Sequence, residues 1–215
     1  MHQIYDYDIY VFDCDGVVFD SNELKLDAMR RALFDFSDRE VEQCIGYFSE
    51  NFGKSRYHHV QYFLDHILQQ GPEFSDSQYN HILNEYSKQC KNLYTLDRLS
   101  PGFINFVDTL KSPLYIASGS DESELRDVFK TLNIYSKFVE VYGSPETKSN
   151  NIRKIVNNSG SKKIVIIGDS FSDLESAEEN NIDFIFYSPF SKVKDIMKGV
   201  CSQKQYLIID SFEDL

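Results

Sequence analysis

The sequence predicts an α/β protein built on a parallel, doubly wound sheet, and two observations support this prediction. The first is a series of short apolar runs rich in β-branched and aromatic residues, most of them separated by stretches of helical periodicity. Such alternation is typical of a parallel sheet covered by helices on both faces. The runs cover residues 9–12, 114–117, 138–142, 164–167, 184–187 and 206–209.

The second observation is a gap of about a hundred residues between the first two runs, far more than one strand-to-strand crossover needs. Apolar residues in this gap recur at three- and four-residue spacing, which indicates helices. The predicted helices cover residues 21–36, 38–52, 55–70 and 75–94, with a stop at Gly71-Pro72. We therefore predict a four-helix bundle at residues 18–97, here called the helical insert, within a Rossmann-like core domain of residues 1–17 and 98–215.

Composition restricts the kinds of partner. The formal net charge is −12, from 34 acidic and 22 basic residues, so a nucleic acid or an anionic membrane is disfavoured. Four cysteines are scattered without a CxxC pair, and no charged-then-apolar signal segment opens the chain. The apolar runs are too short to span a membrane. We expect a reduced cytoplasmic protein, monomeric or weakly dimeric, that acts on a small molecule.

Two carboxylates stand together at the end of the first run. The run is followed by Asp13-Cys14-Asp15-Gly16, and residues two apart in an extended chain share a face, so Asp13 and Asp15 point the same way. Ligands bind at the carboxyl ends of strands in open α/β sheets, and Gly16 would allow a sharp turn. Taken alone, the tetrapeptide fits a solvated turn equally well.

Two later runs also end in polar residues. Ser118-Gly119-Ser120 precedes a predicted helix, where a hydroxyl and free N–H groups suit a phosphate, although an ordinary N-cap is the commoner use of such residues. Gly168-Asp169-Ser170 ends the fourth run, and Asp173 lies one helical turn beyond Asp169. The sheet edge therefore collects several acidic residues.

Four carboxylates would repel a dianionic substrate, so the pattern makes physical sense with a hard divalent cation, and we predict Mg²⁺. Lys148 lies in the loop after the third run and could add a fixed positive charge beside Asp13. The alternative for Lys148 is a solvated loop lysine.

With these motifs in order at successive strand ends, the sequence resembles the haloacid dehalogenase-like superfamily over nearly its whole length. The first motif is residues 13–17, the second Ser118, the third Lys148, and the fourth residues 168–170 with Asp173. The helical insert, directly after the first motif, is similar to the cap of the subgroup that includes phosphoglycolate phosphatase and β-phosphoglucomutase. Such a cap domain would close over the substrate.

The resemblance implies catalytic roles. Asp13 would be the nucleophile that forms an aspartyl-phosphate, and Asp15 would protonate the leaving oxygen and then activate water. Ser118 and the backbone of Gly119 would hold phosphate oxygens, while Lys148 would offset their charge.

The resemblance also implies a metal site in which Asp169 binds Mg²⁺ together with Asp13 and the carbonyl of Asp15. Asp173 would support or bind the metal. Two segments depart from the family pattern: serine follows Lys148 where proline is frequent, and Asn180-Asn181 replaces a common Ala-Gly pair.

Three more residues are candidate substrate ligands. Lys54 and Arg56 lie between the second and third predicted helices, where they could grip a substrate anion or remain solvated at a helix start. Asp20 lies at the entrance to the helical insert, where it could bind substrate hydroxyls or simply cap a helix.

The predicted activity is that of a magnesium-dependent phosphatase acting on a small phosphate monoester, such as a sugar phosphate or a phosphorylated acid. A phosphomutase similar to β-phosphoglucomutase would use the same carboxylates. A serine esterase with Ser170 as nucleophile is disfavoured because no histidine follows His81. A non-enzymatic phospho-ligand binding protein would leave the set of motifs without a use.

Overall fold

The structure is a computed structural model that describes residues 2–69, 76–90, 93–160 and 163–215. The predicted stop at Gly71-Pro72 lies outside the described residues.

Six parallel strands form one sheet in the order β3-β2-β1-β4-β5-β6, with helices on both faces, which confirms the predicted fold class. The third strand starts two residues later than predicted because a 3₁₀ turn at Tyr135–Lys137 comes before it. The second strand is longer than predicted and contains a register shift between Ala117 and Asp121. The strands are β1 (Ile9–Phe12), β2 (Leu114–Asp121), β3 (Glu140–Ser144), β4 (Ile164–Gly168), β5 (Asp183–Tyr187) and β6 (Leu207–Ile209).

Helices connect the strands and also fill the gap between β1 and β2. The first four belong to the predicted helical insert, and each is shorter than its predicted range; α3 continues into a π-helical turn at Phe63–Ile67. The α-helices are α1 (Asn22–Ala32), α2 (Asp38–Glu50), α3 (Arg56–Tyr62), α4 (Asp76–Cys90), α5 (Phe103–Thr109), α6 (Glu122–Thr131), α7 (Lys148–Ser159), α8 (Phe171–Asn180) and α9 (Lys194–Lys204). Among the helices described, none is long and apolar enough to cross a membrane.

Strand β1 is buried on both faces of the sheet. Tyr10 and Phe12 point into one apolar cluster, whereas Ile9 and Val11 point into the cluster on the opposite face. This alternation follows from the two-residue period of a strand, and burial on both sides explains why the run carries no charged residue.

Helices α1 to α4 pack around an apolar cluster of their own that contains Met29, Phe48, Phe63 and Tyr86. The chain enters and leaves these helices through two segments that run side by side. The N–H of Asp20 donates to the carbonyl of Arg98 at 2.8 Å, and further hydrogen bonding joins neighbouring residues of the two segments. Both connections therefore lie at one place beside the sheet.

We expect one buried histidine beside this cluster to make the stability of the protein pH-dependent. The ring of His59 stacks on Phe48 with 3.8 Å between ring centroids, and neither ring nitrogen has a partner in the described chain. Burial, reinforced by nearby positive charge, holds the pKa of His59 well below its ordinary value. The folded protein therefore keeps His59 neutral at pH values where the unfolded chain protonates it.

We expect His59→Phe to flatten the acid side of the stability profile. Below the unfolded-state pKa of about 6.5, the free energy of unfolding of the wild type should fall by up to about 1.4 kcal/mol per pH unit from this residue. The measurement is urea unfolding at several pH values between 5 and 7.5. His81→Gln is the control because the His81 side chain is 50% exposed. Equal slopes for wild type and His59→Phe would contradict the expectation.

Candidate active site

The register of the central strands brings the predicted site residues to one edge of the sheet. Phe12 pairs with Ile116 of β2 on one side and with Ile167 of β4 on the other. Parallel strands in register end together, so the residues that follow these three positions meet at the carboxyl edge. Asp13 follows β1 there, and its N–H donates to the carbonyl of Ile167 at 3.0 Å.

Asp13 is buried, with 2% of its surface exposed. Its Oδ1 accepts a hydrogen bond from the N–H of Cys14 at 2.7 Å and lies 3.0 Å from the ammonium of Lys148. Burial and the charge of Asp173 raise the pKa of Asp13 to about 7, although Lys148 opposes the rise. In the described chain, Oδ2 of Asp13 accepts no hydrogen bond and is left for a ligand.

Lys148 is the first residue of α7 and is 4% exposed, so it is not a solvated loop lysine. Its ammonium bridges Asp13 and Asp173, with 2.5 Å to Oδ1 of Asp173. Burial would lower the pKa of Lys148, but these two carboxylates outweigh it and raise the pKa. Lys148 therefore stays charged beside the candidate nucleophile.

The third residue of this acidic cluster is Asp169. Oxygens of Asp13, Asp169 and Asp173 lie within 4.8 Å of one another, and all three residues are buried. Burial, followed by the charges of Asp13 and Asp173, raises the pKa of Asp169 well above its ordinary value. Its Oδ2 accepts from the amide of Asn22 at 2.8 Å, but its Oδ1 has no partner among the described residues. Within the same part of the chain, Oδ1 of Asn22 is also buried without a partner.

These unpartnered oxygens fit a hard cation, because buried carboxylates without a compensating partner are costly and oxygen is the ligand that Mg²⁺ prefers. Asp173 is differently placed. Its Oδ2 accepts from the N–H and the hydroxyl of Ser170 at 3.1 and 2.6 Å, and its Oδ1 pairs with Lys148. Both oxygens of Asp173 thus already have partners. Of the two roles predicted for Asp173, supporting the metal site or binding the metal, this arrangement suits the first.

Gly16 is needed at this site for two reasons. Its φ of +79° lies in the left-handed region, and a Cβ there would come within 2.1 Å of Oδ2 of Asp169. The chain therefore turns away from β1 so closely over Asp169 that only glycine fits.

Asp15 lies in a hydrogen-bond network that the sequence did not reveal. Its carboxylate accepts from the hydroxyls of Ser21, Tyr94 and Ser120 at 2.6, 2.9 and 2.6 Å. The buried ammonium of Lys25 lies 3.3 Å from Oδ2. Burial alone would raise the pKa of Asp15, but Lys25 and the three hydroxyls lower it below its ordinary value. The resting carboxylate is therefore ionised.

The predicted phosphate loop lies under a loop of the helical insert. Ser118 is 1% exposed, and its hydroxyl accepts from the N–H of Ser120 at 3.1 Å. A Cβ on Gly119 would approach the carbonyl oxygen of Gly53 to 2.3 Å. Gly119 is therefore required for the close contact between the core and the segment that carries Lys54.

A cavity of about 20 Å³ is lined by Asp13 and Asp15. Two of the predicted substrate ligands, Lys54 and Arg56, line it, but the guanidinium of Arg56 is already paired with Glu124. Asp20 does not line this cavity; it lies in the connection to the helical insert. The lining residues are Asp13, Asp15, Lys25, Phe48, Phe52, Gly53, Lys54, Arg56, Tyr86, Ser118, Gly119 and Ser120.

The two departures from the family pattern meet in space. The amide of Asn180 donates to the backbone and side-chain oxygens of Ser149, each at 3.1 Å, and so joins α8 to the start of α7. Asn181 adopts a left-handed conformation at the end of α8, which asparagine tolerates better than most residues. These residues thus hold the helix that begins with Lys148.

Comparison with known proteins agrees with the fold and the motifs. The model of the haloacid dehalogenase-like hydrolase family matches residues 7–181, and the chain belongs to this family of hydrolases. A search of the curated proteins found no match.

Solved structures of similar fold align along almost all of the chain. A predicted phosphoglycolate phosphatase from Haemophilus somnus is 16% identical, with a TM-score of 0.73 and coverage of 97% of this chain and 96% of that chain. β-Phosphoglucomutase from Clostridium difficile is 16% identical, with a TM-score of 0.71 and coverage of 97% and 93%. YfnB from Bacillus subtilis, described as a HAD-hydrolase bound to magnesium, is 15% identical, with a TM-score of 0.64 and coverage of 97% and 96%.

Proposed function

We propose that the protein is a magnesium-dependent phosphatase that hydrolyses a small phosphate monoester through an aspartyl-phosphate. One observation carries the proposal: at the carboxyl edge of the sheet, Asp13 has an oxygen that accepts no hydrogen bond from the described residues, and Lys148 and Asp169 flank it. A carboxylate so placed can attack phosphorus while a fixed cation offsets the negative charge that gathers there. The names of two similar structures, a phosphoglycolate phosphatase and a phosphomutase, support phosphoryl transfer.

The proposed reaction has two steps. In the first, Oδ2 of Asp13 bonds to phosphorus, the bond to the leaving oxygen breaks, and Asp15 gives that oxygen a proton. In the second, Asp15 takes a proton from water, whose oxygen bonds to phosphorus as the bond to Asp13 breaks. The lowered pKa of Asp15 suits the second step directly, whereas the first requires Asp15 to take up a proton once the substrate is bound.

Phosphate oxygens would lie against the hydroxyl of Ser118 and the backbone of Gly119, which border the same cavity as Asp13. Lys148 would balance their charge. Asp13, Asp169 and the carbonyl of Asp15 would hold Mg²⁺, and Asp173 would keep Lys148 and the Asp169 loop in place. The bound ion would supply positive charge to the transferring phosphoryl group.

We further propose that residues 18–97 act as a cap domain over a core of residues 1–17 and 98–215, because α1 to α4 have their own apolar cluster. Substrate selection would then fall to residues on the insert side of the cavity, Lys54 among them, with Asp20 at the connection. Arg56 lines the same cavity, but its guanidinium is taken up by Glu124. A cytoplasmic location and a monomeric or weakly dimeric state are part of the same proposal.

Phosphate release from a panel of monoesters tests this function. We expect turnover with Mg²⁺, none with chelator, and a loss of about 10²-fold or more in Asp169→Asn, because a metal ligand would be weakened. Asp195→Asn, at the start of α9, is the matched control and should behave as wild type. Equal turnover with chelator would contradict the metal role, and transfer of phosphate to a sugar hydroxyl instead of water would indicate the phosphomutase.

A further inference from the structure

We infer that the ion pair between Arg56 and Glu124 is a latch that holds the loop of residues 53–55 closed over the phosphate site. Both are positioning residues in this inference, since neither needs to touch the reacting atoms. The consequence for turnover rests on the proposed function, whereas the effect on the loop does not.

The contacts of Arg56 hold its guanidinium in this ion pair. Its two terminal nitrogens donate to the two carboxylate oxygens of Glu124 at 2.9 and 2.5 Å, a bidentate geometry. The same guanidinium donates to the hydroxyl of Ser87 at 2.5 Å and lies 5.2 Å from the ring centroid of Tyr86. Arg56 is 6% exposed, so its guanidinium is largely shielded from water, whereas the side chain of Glu124 is 38% exposed.

The pair joins the helical insert to the core next to the phosphate loop. Arg56 begins α3, directly after the loop, and Glu124 lies in the first turn of α6, directly after the phosphate loop that ends β2. A second contact reinforces the junction, since the hydroxyl of Tyr57 lies 3.4 Å from Oδ2 of Asp121. The start of α3 is thereby fixed to the start of α6.

The loop itself lies on the catalytic residues. A Cβ on Gly53 would come within 2.8 Å of Ser172, 3.0 Å of Ser170 and 3.1 Å of the ammonium of Lys148. A Cβ on Gly119 would in turn come within 2.3 Å of the carbonyl oxygen of Gly53. Any movement of the start of α3 would therefore shift a backbone segment that packs against both the lysine and the phosphate loop.

The closed loop leaves too little room for a substrate. The cavity above Asp13 has a volume of about 20 Å³, space for one water molecule but not for a phosphate monoester. A neighbouring cavity of about 310 Å³ reaches Lys148, and Gly53, Lys54 and Gly119 line both. Displacing the loop would merge the two spaces. In this inference the pair opens to admit a substrate and closes again before the reaction.

This inference differs from a direct grip of Arg56 on the substrate. If Glu124 merely neutralised a substrate-binding arginine, removing its charge would free Arg56 and raise kcat/KM, whereas removing Arg56 would lower kcat/KM. If the pair is a latch, removing either partner loosens the loop, and the second removal adds nothing because the contact is already lost.

Hydrogen exchange and kinetics on the full-length protein test the latch with Glu124→Gln, Arg56→Gln and the double variant. Glu124 is 38% exposed on its side chain, so its isosteric replacement should fold. We expect amide exchange in residues 51–57 to become about tenfold faster in all three, and kcat/KM for p-nitrophenyl phosphate with Mg²⁺ to fall about tenfold. The double variant should be no worse than the worse single variant.

Glu42→Gln is the control because it removes the carboxylate partner of Arg30 in an exposed pair between α1 and α2. Exchange in residues 51–57 should not change there. Wild-type exchange in Glu124→Gln, a higher kcat/KM in that variant, or losses that multiply in the double variant would overturn the latch. If wild type releases no phosphate but exchange still responds to Glu124→Gln, the proposed function fails while the latch stands.

Discussion

Replacing Asp13 by asparagine is expected to abolish phosphate release while leaving the fold intact. The amide can keep the hydrogen bond from Cys14 but is no nucleophile, so turnover should fall by about 10⁴-fold or more. The measurement is single-turnover and steady-state phosphate release with Mg²⁺, together with urea unfolding to show that the variant is folded. The fold should tolerate the change, since burial and neighbouring carboxylates already disfavour the charge of Asp13.

The matched control is Asp108→Asn, which removes an exposed carboxylate on α5 that pairs with Lys137. That variant should retain wild-type turnover, because an exposed pair far from the site contributes little. A phosphorylated protein trapped after acid quench in wild type, and absent in Asp13→Asn, would assign the covalent step to Asp13. Turnover of Asp13→Asn within tenfold of wild type would show that another residue attacks the phosphate.

The part of the site that could be predicted from the sequence lies next to strand ends. Asp13, Ser118 and Asp169 each follow an apolar run, and the parallel register of β1, β2 and β4 is enough to bring them together. Their positions at the site therefore follow from the local sequence and from the rule that parallel strands in register end at the same edge of the sheet. Lys148 was placed at the site from the resemblance and its loop position, and the structure puts its ammonium 3.0 Å from Asp13.

The part that could not be predicted depends on how the helical insert sits on the core. Lys25 reaches Asp15 from α1, and Arg56 reaches Glu124 across 68 residues of sequence. Neither pair has a spacing rule, because tertiary packing alone sets which helix faces which strand end. One signal was present for Lys25: a lysine in the first helix after the catalytic strand, on the face with Asn22 and Leu26, which are buried. A buried cation there requires an acidic partner.

Replacing Lys148 by methionine is expected to damage both stability and turnover. The lysine is 4% exposed and is the cation between Asp13 and Asp173, so its loss leaves two carboxylates buried side by side. Breaking a buried ion pair from one side typically costs about 3–5 kcal/mol of unfolding free energy. Turnover should also fall by about 10³-fold, because a fixed positive charge at the transferring phosphoryl group is lost.

A second substitution separates the two effects. In Lys148→Met with Asp173→Asn, one of the stranded charges is gone and the remaining oxygen of residue 173 can still accept from Ser170, so more than half of the lost stability should return. Turnover should not return, since the ammonium of Lys148 beside Asp13 is not replaced. Urea unfolding at pH 7.5 measures the first effect and phosphate release the second. The control Lys198→Met removes a surface partner of Asp210 and should cost at most about 1 kcal/mol. Recovery of turnover in the double variant would show that Lys148 acts only by neutralising Asp173, and not on the phosphoryl group.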